Sequence, residues 1–137
     1  MKKIFLTTIV FAVFSFVFAV PHFAQGGKAE PLRINFKKGA TNAVVSGNLK
    51  QNVTAEYIFA AKKGQRVRVK ISSAPKGKFH IFKIVGAEGV NYSSELDINY
   101  DETFTAPATG DYVVSVDLRP TDKVRAAKFA LTVTITN

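Results

Sequence analysis

Apolar and polar residues alternate with a period of two along most of the chain after residue 31. This period is typical of β-strands with one buried face, because successive side chains of a strand point to opposite sides of the sheet. The clearest example covers residues 66–71, where three aliphatic residues alternate with three basic ones. We expect the aliphatic residues to face a core and the basic residues, Arg66, Arg68 and Lys70, to face solvent. These three are called the basic strand face below.

Turn-forming residues separate the alternating segments. Examples are the glycine-containing stretches 38–42, 62–65 and 107–111, whose composition favours tight turns. About eight alternating segments result and none has a convincing helical period, so the pattern predicts an all-β fold. A closed barrel is possible, but one apolar face per strand favours an antiparallel, jelly-roll-like β-sandwich of about eight strands.

The first residues have a different character. Two lysines precede an apolar run over residues 4–20, and the small residue Ala24 follows it. A positive start, an apolar centre and a small residue at the end predict a signal peptide over residues 1–24 that is cleaved on export. A cut after Ala19 also fits the pattern, and a membrane anchor is the competing interpretation, since about 17 apolar residues approach the length of a span.

The predicted signal peptide, called the leader below, sets the domain boundaries and indicates where the protein resides. We expect a flexible arm over residues 25–31 and one β-sandwich domain over residues 32–137. After processing, the protein should not be embedded in a membrane and should be exported, either to a periplasm or to the medium.

The amino-acid composition excludes several kinds of catalysis and metal binding. The chain has 19 Lys and Arg against 10 Asp and Glu, and without the two lysines of the leader its net charge is +7. The absence of cysteine excludes disulfides, Cys-ligated zinc and thiol catalysis. Because His22 lies in the predicted leader, histidine chemistry would depend on His80 alone. We therefore expect a protein that is not an enzyme and needs neither a cofactor nor a metal.

His80 and an acidic loop are the features that could contradict this expectation. His80 shares the strand period of apolar Phe82 and Ile84, which indicates a sheet residue, and no Gly-x-Ser-x-Gly nucleophile context accompanies it. Acidic residues cluster in a loop, as calcium ligands do, but their spacing is not that of an EF-hand and calcium binding is left open. These residues are Glu95, Asp97, Asp101 and Glu102.

Basic residues are concentrated on the basic strand face and in the loop over residues 119–128. The strand face could bind an anionic cell-envelope polymer, or it could be a solvated face that discourages edge pairing. Nucleic acid is not expected, since no aromatic residues lie between the charges. In the loop, Arg119 and Arg125 could each pair bidentately with a carboxylate of a partner protein.

Three stretches resemble a known family in their order and spacing. They are INFKKGA followed by SGNLK within residues 34–50, YIFAAKKGQRV over residues 57–67, and APATGDY over residues 106–112. Together they are similar to the periplasmic inhibitors of goose-type (g-type) lysozyme and, more broadly, to the bacterial pre-peptidase C-terminal β-sandwich domains. The resemblance covers nearly the whole chain after residue 32.

The resemblance implies an exported, non-enzymatic β-sandwich that plugs the cleft of a lysozyme with its loops. The family's Ser-Gly-x-Tyr motif is matched by Thr109, Gly110 and Tyr112, and its arginines before the last strand by Arg119 and Arg125. We therefore expect these five partner-binding residues, although strand periodicity places the ring of Tyr112 in the core. The alternative function is an accessory domain that binds an anionic or carbohydrate surface of the cell envelope through the basic strand face.

Overall fold

The computed structural model describes residues 30–74, 76–77, 79–94, 100–119 and 124–137. The predicted signal peptide over residues 1–24 and most of the predicted arm over residues 25–31 lie outside these ranges and stay predictions. In the part of the chain that is described, no helix is long and apolar enough to span a membrane.

Nine β-strands occur in the described ranges, which confirms the all-β prediction. They are β1 (Leu32–Arg33), β2 (Asn42–Lys50), β3 (Thr54–Ala61), β4 (Arg66–Ala74), β5 (His80–Val85), β6 (Asn91–Ser93), β7 (Asp101–Thr105), β8 (Gly110–Leu118) and β9 (Ala126–Thr136). One short 3-10 turn, Ala87–Gly89, precedes β6.

The strands form two sheets that pack as a β-sandwich, as the sequence predicts. The first sheet has the order β1-β3-β8-β5-β6 and the second has the order β2-β9-β4-β7. Every neighbouring pair is antiparallel except β1 with β3, which is parallel. Chain neighbours such as β3 and β4 belong to different sheets, so the turns between them bridge the two layers.

The core lies between the inner faces of the two sheets. In β4 the aliphatic residues are buried and the basic strand face is exposed, as the alternation predicts. Burying one Val, Leu or Phe side chain contributes about 1.5–3 kcal/mol, and this core stabilises a fold without disulfides. Its largest fully buried apolar side chains are Tyr112, Phe59, Phe82, Ile84 and Leu131.

The structure adds two details to the predicted sandwich of about eight antiparallel strands, namely two short strands, β1 and β6, and the parallel pairing of β1 with β3. The short strands β1 and β6 arise in segments where alternation predicts one longer strand and a connecting loop. Leu32 is 66% exposed, whereas Ile34 is buried and donates its backbone N–H to the carbonyl of Ile58 at 2.8 Å. The first segment therefore follows β3 in parallel for a few residues, an arrangement set by tertiary contact and not by local period.

Strand β8 connects two opposite ends of the sandwich. The turn end holds the 62–65 and 106–109 turns and Gly110, where β8 begins. The arginine end holds the 51–53 turn, Arg119 and Arg125. At about 3.3 Å per strand residue, Gly110 and Arg119 are about 30 Å apart.

Candidate functional site

Arg119 directly follows β8 at the arginine end. Its backbone N–H donates to the carbonyl of Phe79 at 2.7 Å, which ties the start of the loop to the strand that pairs with β8. Its side-chain Nε is buried and bonds to none of the described residues. A buried donor without an acceptor costs free energy. Since this Nε is out of a partner's reach, a partner could engage Arg119 only through the terminal nitrogens of its guanidinium.

Arg125 is exposed at the other end of the same loop, next to the start of β9. Gln51 holds this segment in place, because its backbone N–H donates to the carbonyl of Arg125 at 3.0 Å. The side chain of Gln51 also donates from Nε2 to the carbonyl of Val124 at 3.2 Å. The backbone that carries Arg125 is therefore fixed to the turn between β2 and β3.

That turn adds features to the arginine end that sequence reasoning missed. Asn52 has a left-handed backbone with φ of 63°, and Val53 beside it is 49% exposed. An Asn in a polar turn is a recognised signal for this conformation, but its position beside Arg125 depends on the pairing of β2 with β9. Further exposed basic side chains at this end are Lys50, Lys76 and Lys128.

Thr109 and Gly110 lie at the opposite, turn end of the sandwich. The exposed Thr109 accepts a hydrogen bond through Oγ1 from the backbone N–H of Lys63 at 3.0 Å. Gly110 pairs with Ala61, and an added methyl group there would meet nothing within 4 Å. A shallow cavity of about 470 Å³ lies beside both residues, so the turn end also offers an open surface.

Tyr112 is inside the molecule. Its side chain is fully buried, its ring stacks on Phe59 at a centroid distance of 5.6 Å, and its hydroxyl donates to the carbonyl of Ala108 at 2.6 Å. This confirms the core position that periodicity predicts. The Tyr112 ring cannot touch a partner, and this residue can contribute to binding only by holding the turn that carries Thr109.

The five predicted partner-binding residues therefore do not form one cluster. Two lie at the turn end, two lie at the arginine end about 30 Å away by the length of β8, and one lies in the core. A sandwich that inserts its tip into a cleft must use one end or the other.

The basic strand face carries an internal ion pair. Arg68 donates from Nε to Oδ1 of Asp101 at 2.6 Å and forms a second bond to Oδ2. The hydrogen bonds from this guanidinium lower the pKa of the Asp101 carboxyl and raise the pKa of Arg68. One of the three cations of this face is thus engaged by a neighbouring strand.

His80 is fully buried between the two sheets. Its Nε2 lies 3.2 Å from the carbonyl oxygen of Ala127, and its Nδ1 lies 2.7 Å from Oγ of Ser73. A carbonyl only accepts, so Nε2 carries the proton and the Ser73 hydroxyl donates to Nδ1. Burial lowers the pKa of His80. A neutral imidazole enclosed in the sandwich bridges the sheets, which confirms the interpretation of His80 as a sheet residue.

The acidic loop can be followed only in part. Glu95 and Asp97 lie outside the described residues. Asp101 and Glu102 lie in strand β7 and not in a loop, and Asp101 is engaged by Arg68. Within the described ranges, no group of three or more His, Asp or Glu residues is placed to hold a metal ion.

A β-sandwich with polar turns at one end, and with Arg119 and Arg125 on hydrogen-bonded backbone at the other, defines a class of protein, the small binding module. The curated inhibitor of g-type lysozyme from Escherichia coli (strain K12) is 34% identical over 88 residues, which are 62% of this chain and 64% of that relative. The chain thus spans about 64% of the length of this curated relative.

Comparison with a crystal structure extends the match to the full length of a solved chain. The periplasmic inhibitor of g-type lysozyme from Salmonella Typhimurium is 31% identical with a TM-score of 0.61, covering 80% of this chain and 100% of that one. The chain belongs to the family of periplasmic inhibitors of g-type lysozyme. No protein-family model matches the sequence.

The broader resemblance to pre-peptidase C-terminal domains is a similarity of fold. The pre-peptidase C-terminal domain of collagenase from Bacillus anthracis is 16% identical with a TM-score of 0.55, covering 79% of this chain and 98% of that one. The names of the family members describe inhibitors and not enzymes, and they place the solved relatives in the periplasm. Both points agree with the exported, non-enzymatic protein that the sequence predicts.

Proposed function

We propose that this protein inhibits a g-type lysozyme by occupying the enzyme's active-site cleft, without chemistry of its own. The observation that carries the proposal is the 31% identity across the full length of a solved inhibitor of this enzyme class. The predicted export agrees with it, because a lysozyme meets its cell-wall substrate outside the cytoplasm.

The arginine end is the part of the molecule proposed to enter the cleft. Glycosidases act through carboxyl groups that flank the scissile bond, and an arginine pairs with a carboxylate through two parallel hydrogen bonds. Arg119 is half-buried on backbone that is bonded to Phe79, and Arg125 is exposed on backbone that Gln51 fixes. Desolvated arginines at the centre of an interface often carry much of its binding energy.

Thr109 and Gly110 form the competing contact surface in this proposal. Their end is open and has a cavity beside it, but some of the charged side chains there already pair with each other. Arg33 donates to both carboxylate oxygens of Asp111, at 3.1 and 2.8 Å, which leaves less unpaired positive charge for an acidic cleft. Tyr112 could serve this surface only as the support of the turn that carries Thr109.

The test is a titration of the purified protein into g-type and chicken-type lysozymes while the lysis of cell walls is followed. We expect stoichiometric loss of g-type activity. Arg119→Ala and Arg125→Ala should each weaken inhibition by roughly tenfold or more, the size expected of interface anchors. Arg33→Ala is the matched control, since it removes an exposed arginine far from the arginine end and should leave inhibition intact.

Two outcomes would contradict the proposal in different ways. Full activity of both lysozymes at micromolar excess of the protein would refute the inhibitory function. Inhibition that survives in both arginine variants but is lost in Thr109→Ala would keep the function and move the contact to the turn end.

A further inference from the structure

The outer face of the second sheet carries a regular array of polar side chains that the proposed inhibition does not use. Three neighbouring strands each contribute three residues to this outer face, and the residues that alternate with them lie on the opposite face of the sheet. The array consists of Thr132, Thr134 and Thr136 from β9, the basic strand face from β4, and Asp101, Thr103 and Thr105 from β7.

The strand register orders these residues into rows. Arg66 lies between Thr136 and Thr105, and Arg68 lies between Thr134 and Thr103. Neighbouring strands are about 4.8 Å apart and rows about 6.8 Å apart. A line of cations therefore runs along β4 with hydroxyl groups on both sides of it.

The charges along this line are unequal. Asp101 engages Arg68, and the charge of Lys70 also lowers the pKa of the Asp101 carboxyl. Arg66 forms no ion pair with any described residue, and its side chain is exposed. A shallow cavity of about 370 Å³ opens among these side chains, lined by Arg66, Arg68, Asp101, Thr103, Thr134 and Thr136.

The chemistry of the array selects one kind of ligand. Threonine hydroxyls both donate and accept hydrogen bonds, which matches the hydroxyl groups of sugars. None of the nine side chains is aromatic, so stacking cannot supply affinity for nucleic acid bases. Without stacking, the affinity must come mainly from charge. Because Arg66 and Lys70 lie at opposite ends of the line on β4, the ligand must carry anionic groups at intervals along its length.

We propose that this face binds an acidic polysaccharide, a linear glycan whose carboxylates meet Arg66 and Lys70 while its hydroxyls bond to the threonines. Arg68 lies between these two cations and is already engaged by Asp101. This surface is separate from the arginine end, so a molecule that inhibits a lysozyme through that end would still present it.

The experiment uses the full protein and three polymers. Calorimetric titration with polygalacturonate oligomers should give binding that weakens steeply as salt rises, because exposed charges are screened. Neutral dextran should give none. Polyphosphate supplies anionic charge without sugar hydroxyls and separates glycan recognition from general attraction to polyanions.

Variants locate the binding. Combining Arg66→Gln with Lys70→Gln should lower the affinity for polygalacturonate at least tenfold. Combining Lys37→Gln with Lys38→Gln makes the same change of charge elsewhere and is the matched control, expected to stay within about twofold. Thr103→Val and Thr134→Val keep the shape and strand preference and should each reduce affinity severalfold.

Three results would overturn the proposal. They are no binding of polygalacturonate at low salt, an equal loss of affinity in the control pair, and polyphosphate binding as tight as that of polygalacturonate together with threonine variants that leave polygalacturonate binding unchanged. Arg119→Ala should not change glycan binding, so failure here is distinguishable from failure of the inhibitory function.

Discussion

The hydroxyl of Tyr112 closes the turn before its own strand by donating a 2.6 Å hydrogen bond to the carbonyl of Ala108. The ring lies in the core against Phe59 and Phe104, so the turn is fixed to the most buried part of the sandwich. Family resemblance assigns Tyr112 to partner binding, whereas its contacts make it the anchor of the residues beside it.

Removing this hydroxyl should destabilise the fold. Tyr112→Phe keeps the ring and leaves the Ala108 carbonyl without its donor, and we expect a loss of about 1–2 kcal/mol in the free energy of unfolding. Urea denaturation measures it. Tyr57→Phe is the control, because the Tyr57 hydroxyl bonds to none of the described residues and its removal should change stability far less. Equal effects of the two substitutions would show that the Ala108 bond contributes nothing.

Substitution by alanine should reduce the stability of the fold at Gly86 and change it little at Gly110. A Cβ at Gly86 would clash with the ring of Tyr112, whereas one at Gly110 would meet nothing within 4 Å. Since Tyr112 is fully buried, Gly86→Ala should cost about 1–3 kcal/mol or more of stability. Gly110→Ala should leave stability within about 1 kcal/mol, as measured by thermal and urea unfolding.

The same pair of variants also tests the binding surface. Because Gly110→Ala should fold normally, its lysozyme inhibition can be compared directly with that of the unmodified protein. We expect no change if the arginine end enters the cleft. A tenfold loss in a fully folded Gly110→Ala protein would argue for the turn end.

Burial of His80 should make stability fall in mild acid. Its pKa in the folded state is lowered, mainly because burial disfavours the charged form. The unfolded chain then binds a proton more readily, so stability is complete above the ordinary pKa of about 6.5 and is lost as pH falls below it. Urea unfolding from pH 7.5 to 5 should show this slope, and His80→Gln should flatten it. An unchanged slope in the variant would assign the effect to other groups.

Gln51 should matter for inhibition more than for folding. Gln51→Met keeps the length of the side chain but removes its bond to the Val124 carbonyl, which loosens the segment that carries Arg125. We expect inhibition to weaken several-fold while the free energy of unfolding changes by about 1 kcal/mol or less. Gln65→Met is the matched control, since Gln65 bonds to Asn137 at the turn end. Equal inhibition by the two variants would contradict a positioning role for Gln51.

Local period predicted those parts of the fold that depend on one strand at a time. The alternation in β4 and in β9 gave the correct buried faces, and the lone His80 was correctly placed in a sheet. The parallel pairing of β1 could not be predicted, because Leu32 and Ile34 have the period of an ordinary strand and only contact with β3 decides which is covered.

The sequence suggested candidate partner-binding residues but could not show how they are arranged in space. Thr109 and Arg119 were identified from a family motif and from loop charge, yet they stand at opposite ends of one extended strand. Their separation could have been inferred from the sequence, because the residues between Thr109 and Arg119 alternate without a break and therefore form one strand. The support that Gln51 gives to Arg125 depends on pairing between distant strands, which no local pattern encodes.

The parallel pairing of β1 with β3 has a practical consequence for anyone handling the protein. Leu32 lies beside Tyr57 and runs in the same direction, so the described chain reaches the sandwich from the arginine end. It finishes at the turn end, where Asn137 accepts a hydrogen bond from Gln65. An affinity tag or reporter domain fused ahead of Glu30 would crowd the arginines, whereas immobilisation through the C-terminus would point them toward the solution.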